Sequence, residues 1–288
     1  MNLIELSLVL LGTSVVAGVL GSLLGLGGGF VIVPVLTLAF HLDIRLAIGT
    51  SIVAVAATSS AGEAKNVGEG MTNLRVATFL AMATTIGAVT GALLSGVLDA
   101  RVLFALFGVV LAISGAQMLR SHAPRAAVVR TSQTITAVSR RWDRLGDRLA
   151  LDSAYYDEAE QVHVPYVVAN KGLGLGLMYL AGTVSGLLGI GSGVLKVPAM
   201  DIAMHIPMKV STATSNLLIG LTAAASAVVY FARGDIDPLI AGPVALGVLV
   251  GATQGSKLLK SIRADRLRVL FVAVLMVVAV QMVWKAVA

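Results

Sequence analysis

The sequence predicts an all-α polytopic membrane protein. It reads as two repeats of about four helical elements each, in inverted topology, with Gly-rich broken or re-entrant helices meeting near the midplane. Three observations predict this. Of 288 residues, 57% are hydrophobic and 12% charged, with a mean hydropathy of +0.91. Soluble proteins carry about 25% charged residues, so this chain cannot coat a water-facing surface and lipid must cover most of it. Second, the apolar residues fall in continuous runs rather than the alternating ten-residue units of a transmembrane barrel. Third, the sequence matches itself at one constant offset.

The runs occupy 3–24, 30–40, 46–61, 72–98 and 102–119, then 172–188, 194–208, 210–232, 238–259 and 267–284. A span needs about 20 apolar residues. The run 30–40 is too short for that and reaches only mid-bilayer, about 16 Å in. The first run lacks the basic start of a signal peptide and carries Glu5 instead. With no Cys, disulfides and thiolate metal sites are excluded. The net charge of +6 comes from residues in loops between runs, which the positive-inside rule explains without nucleic acid.

Shifted by 164 positions, "AGVLGSLLGLGGGFVIVP" (17–34) lies over "AGTVSGLLGIGSGVLKVP" (181–198), with nine of eighteen positions identical. The same shift pairs His41 with His205, Arg45 with Lys209, Thr50-Ser51 with Thr214-Ser215 and Gln117-Met118 with Gln281-Met282. Residues 1–120 and 166–288 are therefore read as two transmembrane repeats. Between them, 121–165 is an Arg-rich cytoplasmic insert whose Ile135, Val138, Trp142, Leu145 and Leu149 recur at helical spacing. That amphipathic helix would lie on the inner leaflet or pack on the bundle. "YYDEAE" (155–160) reads as an acidic surface stretch.

With the insert inside, the turn at Asp99–Arg101 is outside. The basic "KLLKSIRADRLR" (257–268) is inside, which puts Arg233–Asp237 outside. Equivalent loops then face opposite sides, and each half needs an odd number of crossings. Runs 3–24 and 30–40 are accordingly a re-entrant pair. If 3–24 crosses fully, the repeat is parallel instead.

Gly25, Gly27, Gly28 and Gly29 interrupt the first half, and Gly189, Gly191, Ser192 and Gly193 the second. Non-helical backbone at membrane depth persists only where protein or a wet cavity satisfies it. A helix starting there points free amides at the break, which favours an anion, and such breaks point to a transporter's substrate site. The bland alternative is small-residue helix packing. Lys196 stands where Ile32 stands in the first half, beside the break. A charge within a span is a functional candidate; snorkelling to an interface is the alternative. Asp201 is a candidate partner for it or a proton carrier. Thr50, Ser51, Thr214, Ser215 and Asn216 supply hydroxyls and an amide for an oxyanion, or cap helices. Gln117, Gln254 and Gln281 suit interhelical hydrogen bonds. Glu63 and Lys65 read as a surface pair. His41 and His205 have no second ligand at metal spacing, and no cofactor is implied.

These residues resemble the TauE/SafE family of membrane permeases, the sulfite exporter family. The resemblance rests on Gly25, Gly27, Gly28, Gly29, Pro34 and Thr50-Ser51, repeated as Gly189, Gly191, Gly193, Pro198 and Thr214-Ser215. It covers nearly the whole chain except 121–165. It implies a secondary transporter, not an enzyme, exporting sulfite, sulfoacetate or other organosulfonates across the inner membrane, with H⁺ or Na⁺ as a candidate coupling ion. Ser192 and Lys196 depart from the simplest pattern and leave the substrate open. An anion channel, or an uptake permease for another small anion, is the alternative.

Overall fold

The computed structural model describes residues 3–23, 29–68, 71–120, 151–157, 162–191, 193–258 and 264–287. The amphipathic helix expected over 135–149 lies outside them, as do Gly25, Gly27, Gly28 and Ser192. The first half comprises α1 (Leu3–Leu23), α2 (Gly29–Pro34, continued by a π-helical turn Val35–Ala39), α3 (Ile44–Gly68), α4 (Leu74–Val97) and α5 (Ala100–Arg120). A hairpin of β1 (Ser153–Asp157) and β2 (Val162–Tyr166) follows. The second half comprises α6 (Lys171–Leu188), α7 (Gly193–Pro198, continued by a π-helical turn Ala199–Ala203), α8 (Met208–Ala232), α9 (Pro238–Leu258) and α10 (Ala264–Val287). Among the described residues four helices have stretches long and apolar enough to cross a membrane: Leu74–Val97, Lys171–Leu188, Met208–Ala232 and Pro238–Gly255.

The bounds of α2, its π turn and α3 reappear in α7, its π turn and α8 at every residue number plus 164. The local cause is visible in the sequence. Pro34 and Pro198 carry no N–H and cannot continue the i−4 ladder, so the helix widens after each. Within the first π turn Thr37 donates its hydroxyl back to the Val33 carbonyl at 2.8 Å. Each π turn is followed by a histidine in the left-handed region, His41 at φ 53° and His205 at φ 57°, which turns the chain into the next helix.

The halves pack crosswise. α1 lies on α9 and α6 on α4, while α3 meets α8 and α5 meets α10. Small residues make the first two contacts. A side chain at Gly18 would overlap the Val248 backbone, and one at Gly182, 164 residues on, would overlap Thr84, itself 164 before Val248. α3 and α8 run antiparallel: Gly49 near the start of α3 abuts the Asp235 carbonyl past the end of α8, and Ser59 donates to the Asn216 carbonyl. α5 and α10 are antiparallel too, with Gly108 against Val283 and Ala279, and Gly115 against Met276 and Leu275.

Loops therefore gather at two ends. At the first, Arg45 donates to the carbonyls of Ser95 (3.2 Å) and Leu98 (2.9 Å), and Arg233 to the Ala92 carbonyl and the Ser95 hydroxyl, tying α3, α4 and α8 together. At the second, the Asn73 side chain donates to the Leu151 carbonyl (3.1 Å) and the Tyr166 hydroxyl (2.7 Å). Asn170, just before α6, donates to the Ala203 carbonyl at the end of the second π turn (3.0 Å), so α6 leaves from the end to which α7 returns.

Several expectations are corrected. Among the described residues each half holds five helical elements, α1–α5 and α6–α10, rather than about four, because the pair expected to be re-entrant counts as two. Tyr155 of "YYDEAE" is not surface. It is buried in β1, its ring 6.5 Å from that of Tyr166, and it packs in a cluster with Met200, Met204 and Val76. Glu63 is buried rather than exposed and accepts from Thr72 at 2.7 Å; the side chain of Lys65 lies outside the described residues. Gln254 and Gln281 are exposed and face away from the bundle, so they join no neighbouring helix. Lipid-facing and core-facing positions are both apolar here, which hides the orientation of a polar residue from the sequence.

Candidate functional site

α3 and α8 cross at their middles. Val55 and Ile219, each the twelfth residue of a 25-residue helix, both lie 3.1 Å from where a Gly191 side chain would begin. The second glycine segment is a true interruption. α6 ends at Leu188, Gly189 and Gly191 take φ of 68° and 74°, and helix resumes at Gly193. Only glycine adopts these values without strain. The Gly189 amide closes α6 on the Ser185 carbonyl at 2.8 Å.

Gly29, which opens α2, meets this segment. A side chain there would sit 2.6 Å from the Gly189 carbonyl oxygen and 2.9 Å from the Ser51 hydroxyl and from Val55. Ser51 donates to that same carbonyl at 2.9 Å. The start of α2, the Gly189 segment and the centres of α3 and α8 thus converge on one point. Gly193 faces Ile219 at the same place.

Thr50, Ser51, Thr214 and Ser215 are all buried. They stand two turns inside α3 and α8, so the helix-capping reading of these residues falls. Thr214 accepts from the Asn73 amide at 3.2 Å. Among the described residues the hydroxyls of Thr50 and Ser215 have no hydrogen-bond partner, an uncommon state for buried polar groups. Asn216 is half-buried and its main-chain carbonyl accepts from Ser59.

Lys196 lies in α7, fully buried at 0% exposure, which excludes snorkelling. Its ammonium turns to α8 and donates to the Thr222 hydroxyl at 2.8 Å and the Leu218 carbonyl at 3.2 Å. Both partners are neutral, and one of the three ammonium protons is left over. Asp201, half-buried in the π turn, is not among its partners. Thr222 completes the arrangement by donating to Leu218 at 2.8 Å. Sequence reasoning missed Thr222, although Thr58 stands 164 positions before it; that match was the available signal.

A second polar group closes the first end. Tyr230 is fully buried and donates to the Gly186 carbonyl at 2.9 Å, and the Arg233 guanidinium lies 4.7 Å above its ring while pairing with Asp235. At the opposite end, burial raises the Tyr166 phenol above its ordinary range.

A family model described as sulfite exporter TauE/SafE matches residues 10–282. The probable membrane transporter protein YunE of Bacillus subtilis is 26% identical over 97% of each chain. A probable membrane transporter protein of Xylella fastidiosa is 26% identical over 98% of this chain and 97% of its own. One from Methanocaldococcus jannaschii is 24% identical over 90% of this chain and 89% of its own. No solved structure matches.

Proposed function

The chain belongs to the sulfite exporter TauE/SafE family, and on that premise we propose that it is a secondary transporter. It carries small sulfur-containing anions (sulfite, sulfoacetate or other organosulfonates) outward across the inner membrane. The observation that carries this reading is Lys196, a fully buried ammonium whose partners among the described residues are both neutral, beside a backbone break at the centre of the two crossing helices. An unpaired buried charge costs several kcal/mol. A small anion, held by the spare ammonium proton, the buried hydroxyls and the amides opening α2 and α7, would remove that cost.

The two halves form an inverted repeat with a re-entrant pair in each. The antiparallel run of α3 against α8 and of α5 against α10 supports this. Helices related by the 164-residue offset that run in opposite directions are exchanged by a two-fold axis lying in the membrane plane. The Asn170–Ala203 bond supports the re-entrant reading of α6 and α7. On this arrangement the hairpin end is cytoplasmic and the Arg45–Arg233 end faces outward. The sequence carries no Gly-Lys-Ser/Thr phosphate-binding loop, and a membrane potential negative inside favours anion exit; H⁺ or Na⁺ are the candidate coupling ions.

The test is counterflow in proteoliposomes. Vesicles preloaded with unlabelled sulfite should accumulate external labelled sulfite, saturably, and Lys196→Met should lose most of that uptake. Non-saturating flux without counterflow would instead identify a channel.

A further inference from the structure

We infer that the site accepts a net charge of minus one, which narrows the substrates proposed above to hydrogen sulfite and simple sulfonates and removes sulfoacetate from them, a dianion rejected together with sulfate and thiosulfate. This rests on the reading of Lys196 as the anion's partner.

The duplication has not duplicated the charge. Lys196 occupies the position that Ile32 holds in the first half, and Ile32 is buried at 2% exposure. The described glycines at the crossing, Gly29, Gly189, Gly191 and Gly193, add none. The other groups at the crossing are Ser51, Val55, Ile219, Thr222 and backbone, all neutral. Arg45, Arg233 and Asp235 are engaged at the first end, and Glu63 lies with Thr72 toward the second. Asp201 sits in the π turn that leads to the second end and is already engaged in an interaction of its own.

One ammonium and one monoanion form a neutral pair, which a low-dielectric interior tolerates. A dianion leaves one charge uncompensated, with a desolvation penalty that neutral hydroxyls and amides cannot offset.

Methanesulfonate and sulfate present the same SO₃ face and differ by one charge, so they form the test pair. Binding of each to the purified full chain in detergent is measured by calorimetry in sodium-free buffer at one pH. Methanesulfonate should bind, sulfate at least about tenfold more weakly, and isethionate should outrank sulfoacetate in the same sense. Lys196→Met, a near-isosteric neutral side chain, should weaken methanesulfonate by at least about tenfold, and Lys196→Arg should retain binding. Sulfate binding as tightly as methanesulfonate, with both weakened in Lys196→Met, would overturn the charge rule while leaving the anion site in place. Binding of both that ignores Lys196→Met, or no binding of either, would overturn the site as well. The wild-type comparison needs no variant, so a poorly folding Lys196→Met leaves the test decisive.

Discussion

Ser51 in α3 donates its hydroxyl proton to the carbonyl oxygen of Gly189 at 2.9 Å, across 138 residues of sequence. The bond fixes the interruption in one half against the middle of a long helix of the other. Gly189 ends α6 in the left-handed region, and its carbonyl has no following helical turn to accept from. Ser51→Ala leaves that carbonyl buried without this donor. It should lower stability by about 1–3 kcal/mol and reduce transport, read as a lower melting temperature and lower counterflow.

Gly191→Ala probes the backbone rather than the bond. Its φ of 74° is costly for any residue with a Cβ, about 1–2 kcal/mol, and the methyl would meet Val55 and Ile219 at 3.1 Å. Substrate affinity should fall more than stability, because the added group enters the crossing point. Calorimetry and thermal melting on one sample separate the two effects.

Helix packing gives a matched pair of variants. Gly182→Leu puts a side chain into the Thr84 backbone and should force α4 from α6, costing at least about 1–3 kcal/mol by overpacking. Gly176→Ala, on the same helix with nothing within 4 Å of the new methyl, should stabilise by about 0.5–1 kcal/mol through helix propensity alone. Detergent-solubilised melting curves measure both.

Thr222→Val removes the shorter of the two bonds to Lys196 while keeping the side-chain shape. The ammonium is then held by the Leu218 carbonyl alone. Anion affinity should drop about three- to tenfold, for a lost bond to a charged group worth about 1 kcal/mol net after partial compensation by bound anion. The protein should remain folded. An unchanged affinity would place the ammonium's function elsewhere than in holding substrate.

The sidedness is testable with single cysteines, since the sequence contains none. Asp99→Cys and Asp237→Cys should react with an impermeant maleimide from the same face of oriented membranes, and Asp152→Cys from the other. Labelling of Asp99→Cys and Asp237→Cys from opposite faces would mean a parallel repeat.

Much of the architecture was legible beforehand. Each apolar run foreseen begins within three residues of a helix in the structure. The Val-Pro ends of both glycine segments mark the sites where the helices widen into π turns. These features are local: proline lacks a donor, glycine tolerates positive φ, and uninterrupted apolar sequence forms helix wherever its backbone must satisfy itself.

What the sequence by itself determined, then, is where the helices lie, where they are interrupted, and that one cation, Lys196, stands beside one interruption. Only the tertiary structure decided which way each helix faces. It turned Lys196 toward Thr222 rather than Asp201, buried Lys196, Tyr155 and Glu63, left Thr50 without a partner among the described residues, and exposed Gln254 and Gln281. In a chain whose outer surface is as apolar as its core, no hydrophobic stripe distinguishes inside from outside. The orientation comes from glycine-lined contacts such as Gly182 on Thr84, and those depend on two helices far apart in sequence fitting one another.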